Sequence, residues 1–152
     1  MKIAIGADHA GVELKNELAE RLRADAYEVD DLGTHSGDSV DYPDYAAAVA
    51  RAVVEQDDVD LGILVCGTGL GVAIAANKIP GARATTCNDL FTARMARAHN
   101  DANVLTLGSR VVGPGVAEEI VRTFVTTEFQ GGRHGRRVGK IHGLEGSKSP
   151  TE

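Results

Sequence analysis

The chain has no tryptophan, and three tyrosines and three phenylalanines bring its aromatic share to only 4%. Stacking platforms for nucleobases need more rings than that. Positive charge is also scarce: 16 Lys and Arg stand against 22 Asp and Glu, for a net charge of −6. Phosphate backbones demand broad basic surface, so the composition excludes a general nucleic-acid binder. No apolar run approaches the roughly 20 residues of a membrane span. Met1-Lys2 leads straight into a strand pattern, so no signal peptide and no membrane partner are expected. The two cysteines, Cys66 and Cys87, form no CxxC, which fits a reducing, cytoplasmic setting.

What remains is ordinary globular composition, with 152 residues of which 43% are hydrophobic and 25% charged. A chain of that size buries about 70% of its unfolded surface and needs no disulfide or metal to hold a core.

Strand and helix patterns alternate from the first residue. Short apolar strands are expected at residues 2–6, 27–32, 61–65, 82–86 and 104–107. Helices are expected at 12–22, where Leu14, Leu18 and Leu22 recur at helical spacing, and at 43–54, 71–77, 88–99 and 114–124. Pro43 suits a first helical turn and Asn88 a cap. Five strand–helix units with short connections predict a doubly wound, mostly parallel five-stranded sheet of the flavodoxin-like or Rossmann-like kind. There is no repeat or linker. One domain is expected over 1–142, with a flexible C-terminal tail over 143–152.

The third strand runs into Cys66-Gly67-Thr68-Gly69-Leu70-Gly71. Alternate glycines let successive N–H groups crowd around an anion, and a helix start behind them adds its dipole. A thiolate is favoured at such a position, as a base or a nucleophile. The plainer reading, a buried strand-end cysteine before a flexible turn, stays open on local sequence alone. Ligands of such sheets bind beyond the carboxyl ends of the strands. There Asp8-His9 follow strand one and Ser109-Arg110 follow strand five, while His99-Asn100 end the helix before strand five. Separately, Asp8 reads as a helix-capping carboxylate and His99-Asn100 as a helix terminus. Together with Cys66 and Arg110 they supply acid, base and anion-holding groups.

Competing motifs fail. After Gly67-x-Gly69, Val72 stands where a dinucleotide fingerprint needs its third glycine, although Asp89 is at a tolerable distance for a ribose contact. There is no P-loop, and no arginine closes the loop as a cysteine phosphatase requires. His9, His35, His99, His134 and His142 show no metal-ligand spacing. Arg133, His134, Arg136, Arg137 and Lys140 form a local basic cluster after Gly131-Gly132. Such a run is most simply a solvated tail, but on an acidic chain it also suits a small anion.

Several of these segments resemble one family. Ala7-Asp8-His9-Ala10-Gly11, Asp41-Tyr42-Pro43, Val65-Cys66-Gly67-Thr68-Gly69 and Ala76-Asn77-Lys78 look like the B-type ribose-5-phosphate isomerases, which include the LacA and LacB sugar-phosphate isomerases. So do His99-Asn100-Asp101-Ala102-Asn103, Gly108-Ser109-Arg110 and Gly131-Gly132-Arg133-His134, and the match runs over about residues 2–140 in the family's order. The resemblance implies an isomerase acting on D-ribose 5-phosphate through an enediolate and without metal or organic cofactor, the alternatives being another phosphosugar (a tetrulose, allose or galactose phosphate) and, more remotely, a non-catalytic nucleotide- or anion-binding module. It makes Cys66 the proton-shuttling base, because Val72, Ala73 and Ile74 offer no carboxylate in its place. It makes His99 the ring-opening acid and Asp8 an assistant at the hydroxyls. Gly67, Thr68, Gly69, Leu70 and Gly71 would hold the enediolate. His9, Arg133 and Arg137 would hold the phosphate, and Asn100, Arg110 and Tyr42 would line the site. It further implies a homodimer, or a dimer of dimers, with shared sites and exchanged C-terminal segments.

Overall fold

A computed structural model describes residues 1–146. Strands β1 (Lys2–Ala7), β2 (Glu28–Asp31), β3 (Leu61–Cys66), β4 (Ala84–Thr86) and β5 (Val104–Gly108) form one parallel sheet in the order β2-β1-β3-β5-β4. Helices α1 (Val12–Ala24), α2 (Tyr42–Glu55), α3 (Leu70–Ala76), α4 (Leu90–Asn100) and α5 (Pro114–Thr126) alternate with the strands, and α6 (Arg133–His142) follows. Both faces of the sheet are covered, which is why β1, β3 and β5 read as nearly unbroken apolar runs.

Leu14 and Leu18 of α1, Ala93 and Ala96 of α4, and Ile120 and Phe124 of α5 pack on one face. Ala46 and Val49 of α2, and Val72 and Ala76 of α3, pack on the other. The result is a three-layer sandwich with five strand–helix units, as the alternating pattern predicts. The sixth helix, α6, lies beyond them and packs on α4.

Local differences have local causes. The cap of α4 is Asp89 rather than Asn88. Asp89 is extended, and its carboxylate accepts from Thr92 N at 2.7 Å and Thr92 Oγ1 at 2.9 Å. β4 begins two residues later than expected because Arg83 N donates to the Asn103 side chain at 2.7 Å instead of joining the ladder. Lys15 lies on the apolar stripe of α1 with 0% exposure, its Nζ within 2.7 Å and 2.8 Å of the two Asp31 carboxylate oxygens. Of the tail expected over 143–152, residues 147–152 lie outside the described residues. Residues 143–146 form a turn, from which Glu145 accepts from Gly81 N at 2.8 Å.

Strand order sets the position of any ligand. β1 leads through α1 to β2 on one side, whereas β3 leads through α3 to β4 on the other. The crevice at this reversal lies between the carboxyl ends of β1 and β3. Ala7 pairs in register with Val65, so Asp8 and Cys66 flank it.

Candidate active site

Cys66 is the last residue of β3 and only 5% exposed. Gly67 and Thr68 carry the chain over the strand end, and Gly69 turns it into α3 with φ +79°. A Cβ on Gly69 would lie 2.9 Å from the Leu107 carbonyl carbon, and one on Gly108 would lie 2.7 Å from Thr68 backbone. Only glycine allows the loop and the end of β5 to approach so closely. The turn aims Gly69 N–H at Cys66 Sγ, 3.1 Å away.

Neighbouring elements wall the loop. Ser109 N donates to Cys66 O at 2.8 Å and Arg110 N to Gly67 O at 3.0 Å, which lays the Arg110 side chain against Gly67. The Tyr42 ring, from the first turn of α2, stands 2.7 Å from where a Gly71 Cβ would be. Asp8 closes the turn ahead of α1, its carboxylate accepting from Ala10 N at 3.0 Å and Gly11 N at 3.1 Å, and Gly11 is the N-cap of the helix. The helix-capping role expected for Asp8 is therefore not the one it takes: its carboxylate holds the turn before the helix, at the crevice. Val40 N donates to His9 Nδ1 at 3.2 Å, so the neutral ring carries its proton on Nε2. Asp8, His9, Tyr42, Cys66 to Gly71 and Arg110 thus share the carboxyl ends of the strands.

His99 and Asn100 do not join them. A helix that precedes a parallel strand ends where that strand begins, and α4 runs about 16 Å back across the sheet before it reaches them. Within one chain they sit at the amino ends of the strands. Arg133, His134 and Arg137 of α6 lie beside them. α6 docks on its own α4, and the convergence on one rim expected from sequence order does not occur within a single chain.

His134, which the sequence placed only in the basic cluster, faces inward from α6 and stacks on His99, with ring centroids 4.1 Å apart. Burial, then the nearby His99, Arg133 and Arg137, hold its imidazole below the ordinary 6.5. Arg133 and Arg137 are exposed on the neighbouring face of the helix, and no carboxylate pairs with either among the described residues. Two open guanidiniums one helical turn apart suit a phosphate. Among the described residues no three His, Cys, Asp or Glu side chains gather as a metal site, and no helix is long and apolar enough to cross a membrane.

The fold and this rim define a doubly wound α/β protein with its ligand crevice at the switch point and a thiol beside it. Comparison with known proteins gives the rest. A sequence model of the ribose/galactose isomerase family matches residues 3–141. Ribose-5-phosphate isomerase B of Escherichia coli K12 is 49% identical over 95% of this chain and 96% of its own. The solved ribose-5-phosphate isomerase B of Clostridium thermocellum superposes with TM-score 0.95 at 56% identity, covering 98% of this chain and 100% of its own. That of Mycoplasma genitalium, solved with bound ribulose 5-phosphate, gives 0.92 at 44% identity and 97% of both chains. The chain belongs to the ribose/galactose isomerase family and is an isomerase.

Proposed function

We propose that the chain interconverts D-ribose 5-phosphate and D-ribulose 5-phosphate through an enediolate. The Cys66 thiolate removes the proton from C2 of the open-chain aldose and returns it to C1. The observation that carries this reading is the Gly69 N–H aimed at Cys66 Sγ from 3.1 Å, at the head of a loop of amide donors. Proton removal puts negative charge on the enediolate oxygens, which preorganised N–H groups stabilise. Between Gly67 and Ala76 the chain has no carboxylate to act instead. The ribulose 5-phosphate held by the Mycoplasma genitalium relative supports the choice of sugar.

The remaining roles follow the chemistry of the groups. Thr68 and the N–H groups of Gly67, Gly69, Leu70 and Gly71 hold the enediolate, and Asp8 assists at the hydroxyls. His99 protonates the ring oxygen to open the furanose. His9, Arg133 and Arg137 hold the phosphate, while Asn100, Arg110 and Tyr42 line the site. Holding the non-reacting phosphate supplies binding energy that fixes C1 and C2. No metal or organic cofactor enters this scheme.

Because His99, Asn100, Arg133 and Arg137 lie across the sheet from Cys66, the scheme requires a second copy. The α4–α6 corner of one protomer covers the Cys66 rim of its partner, in a homodimer or a dimer of dimers working in the cytoplasm. The test is a panel of four-, five- and six-carbon aldose phosphates compared by kcat/KM without added metal. Ribose 5-phosphate is expected to lead. A six-carbon leader would overturn the choice of sugar, and binding without turnover would leave only an anion-binding module.

A further inference from the structure

β5 has neighbours on both edges and helices on both faces, yet Thr106 sits at its centre with 0% exposure. Its hydroxyl lies 2.8 Å from the Gly69 carbonyl oxygen and 2.8 Å from Thr86 Oγ1 on β4. Thr86 Oγ1 is in turn 3.1 Å from the same carbonyl. Three oxygens are in mutual contact, and the two hydroxyls have one proton each to offer. If both donated to Gly69, the hydroxyl oxygens would face each other bare at 2.8 Å. If Thr106 donated to Thr86, its own 2.8 Å contact with the carbonyl would be bare. The arrangement that leaves only the longest contact unprotonated runs from Thr86 to Thr106 to Gly69 O. Such a chain polarises along its length.

The anchored carbonyl belongs to the residue whose N–H meets the cysteine. Gly69 sits at φ +79° and ψ −6°, a conformation that glycine leaves readily unless something holds it. Its peptide with Leu70 is planar and trans, so pinning the carbonyl into the core sends Leu70 N–H the opposite way, toward Thr68 Oγ1 at 3.3 Å and the open side of the loop. We propose that Thr106, with Thr86 behind it, is a positioning residue that locks the Gly69 backbone so that its N–H stays on Cys66 Sγ and the next N–H faces the substrate. This rests on the reading of Cys66 as the base, and Thr106 itself touches neither substrate nor sulfur.

The test uses Thr106→Val, which keeps the shape and removes the proton donor, with Thr106→Ser as rescue and Cys66→Ala alongside. In Thr106→Val, kcat is expected to fall about 10- to 100-fold with KM within about threefold, since a misplacement of about 1 Å at a reacting centre costs up to about 100-fold. The pH profile for alkylation of Cys66, read by peptide mass spectrometry, should move to higher pH, and Thr106→Ser should restore both. A folded Thr106→Val with parental kinetics overturns the proposal, and so does a fall in kcat with an unmoved alkylation profile. If Thr106→Val does not fold, Thr86→Val on the half-buried edge strand carries the same expectation at smaller amplitude, and parental behaviour there overturns it. The alkylation profile reports the sulfur's surroundings whatever its role. Turnover retained by Cys66→Ala would therefore sink the base and leave the positioning standing, whereas an unmoved profile beside a dead Cys66→Ala sinks only the positioning.

Discussion

The imidazoles of His99 and His134 stack with their planes 8° apart and centroids 4.1 Å apart, joining the last turn of α4 to the first turn of α6. Folding buries His134 beside three other groups that carry or gain positive charge, so the folded chain binds its proton more weakly than the unfolded chain does. The unfolded chain therefore carries more protons in the window just below 6.5, the ordinary histidine value. Stability contributed by neutral His134 is complete above that value and is lost as pH falls through the window. Thermal melts between pH 7 and pH 5, a range set about the usual histidine titration, should show Tm dropping in the parent. His134→Phe, which keeps a stacked ring but no proton, should flatten the drop. Equal slopes in the two proteins would refute this.

Cys66→Ala should abolish isomerisation and leave sugar-phosphate binding largely intact. The two thiols should also differ in reactivity. Burial pushes the Cys87 thiol up from its ordinary range, whereas Cys66 faces an amide donor. Iodoacetamide should label Cys66 before Cys87, and ribulose 5-phosphate should protect it. Substantial turnover in Cys66→Ala would remove the thiol from the chemistry.

His99→Asn should slow reaction of cyclic ribose 5-phosphate far more than that of an open-chain ketose phosphate. Proton transfer to the ring oxygen is needed only by the closed sugar. Steady-state kinetics on both substrates decide it, and equal losses would assign His99 a structural role.

Arg137→Ala should cost about 1.5–3 kcal/mol, mostly in substrate binding, as loss of one charged phosphate contact does. Mixing Arg137→Ala with Cys66→Ala protomers then tests the shared site. In a symmetric dimer each heterodimer rebuilds one intact site, so with substrate well below KM, where Arg137→Ala homodimers contribute little, a random mixture should regain about a quarter of parental kcat/KM. Verified protomer exchange with no regained activity would mean that each chain serves its own site.

Lys15→Met leaves the Asp31 carboxylate half-buried without its cation, and Asp31→Asn leaves the buried ammonium of Lys15 without its counter-charge. Each is expected to destabilise by about 3 kcal/mol, and the double variant by less than the sum. Urea unfolding measures both. Strict additivity would show that the pair is not coupled.

Much of the fold was legible in the chain because helical and strand periodicities are local. Leu14, Leu18 and Leu22 mark α1 whatever surrounds them, and Gly67, Gly69 and Gly71 mark a turn that demands glycine at Gly69, with φ +79°. Ala7 and Cys66 end their strands one residue beyond the expected ends because ladder pairing, not composition, decides where a strand stops. Asn88 and Asp89 were equivalent as letters, and backbone geometry chose between them.

By itself the sequence determined the alternating elements, the thiol at the head of a glycine loop and the cluster of guanidiniums near the end. Tertiary structure alone decided which of these meet. Strand order put Asp8 beside Cys66, and the direction of α4 carried His99 to the far end of the strands with Arg133 and Arg137. Thr106 shows the same division. Its letter is the one polar exception in Val104-Leu105-Thr106-Leu107, but only the parallel register of β4 and β5 brings its hydroxyl and that of Thr86 beneath one carbonyl. Periodicity travels a few residues along a chain, whereas contacts between distant residues depend on how whole elements are ordered and directed.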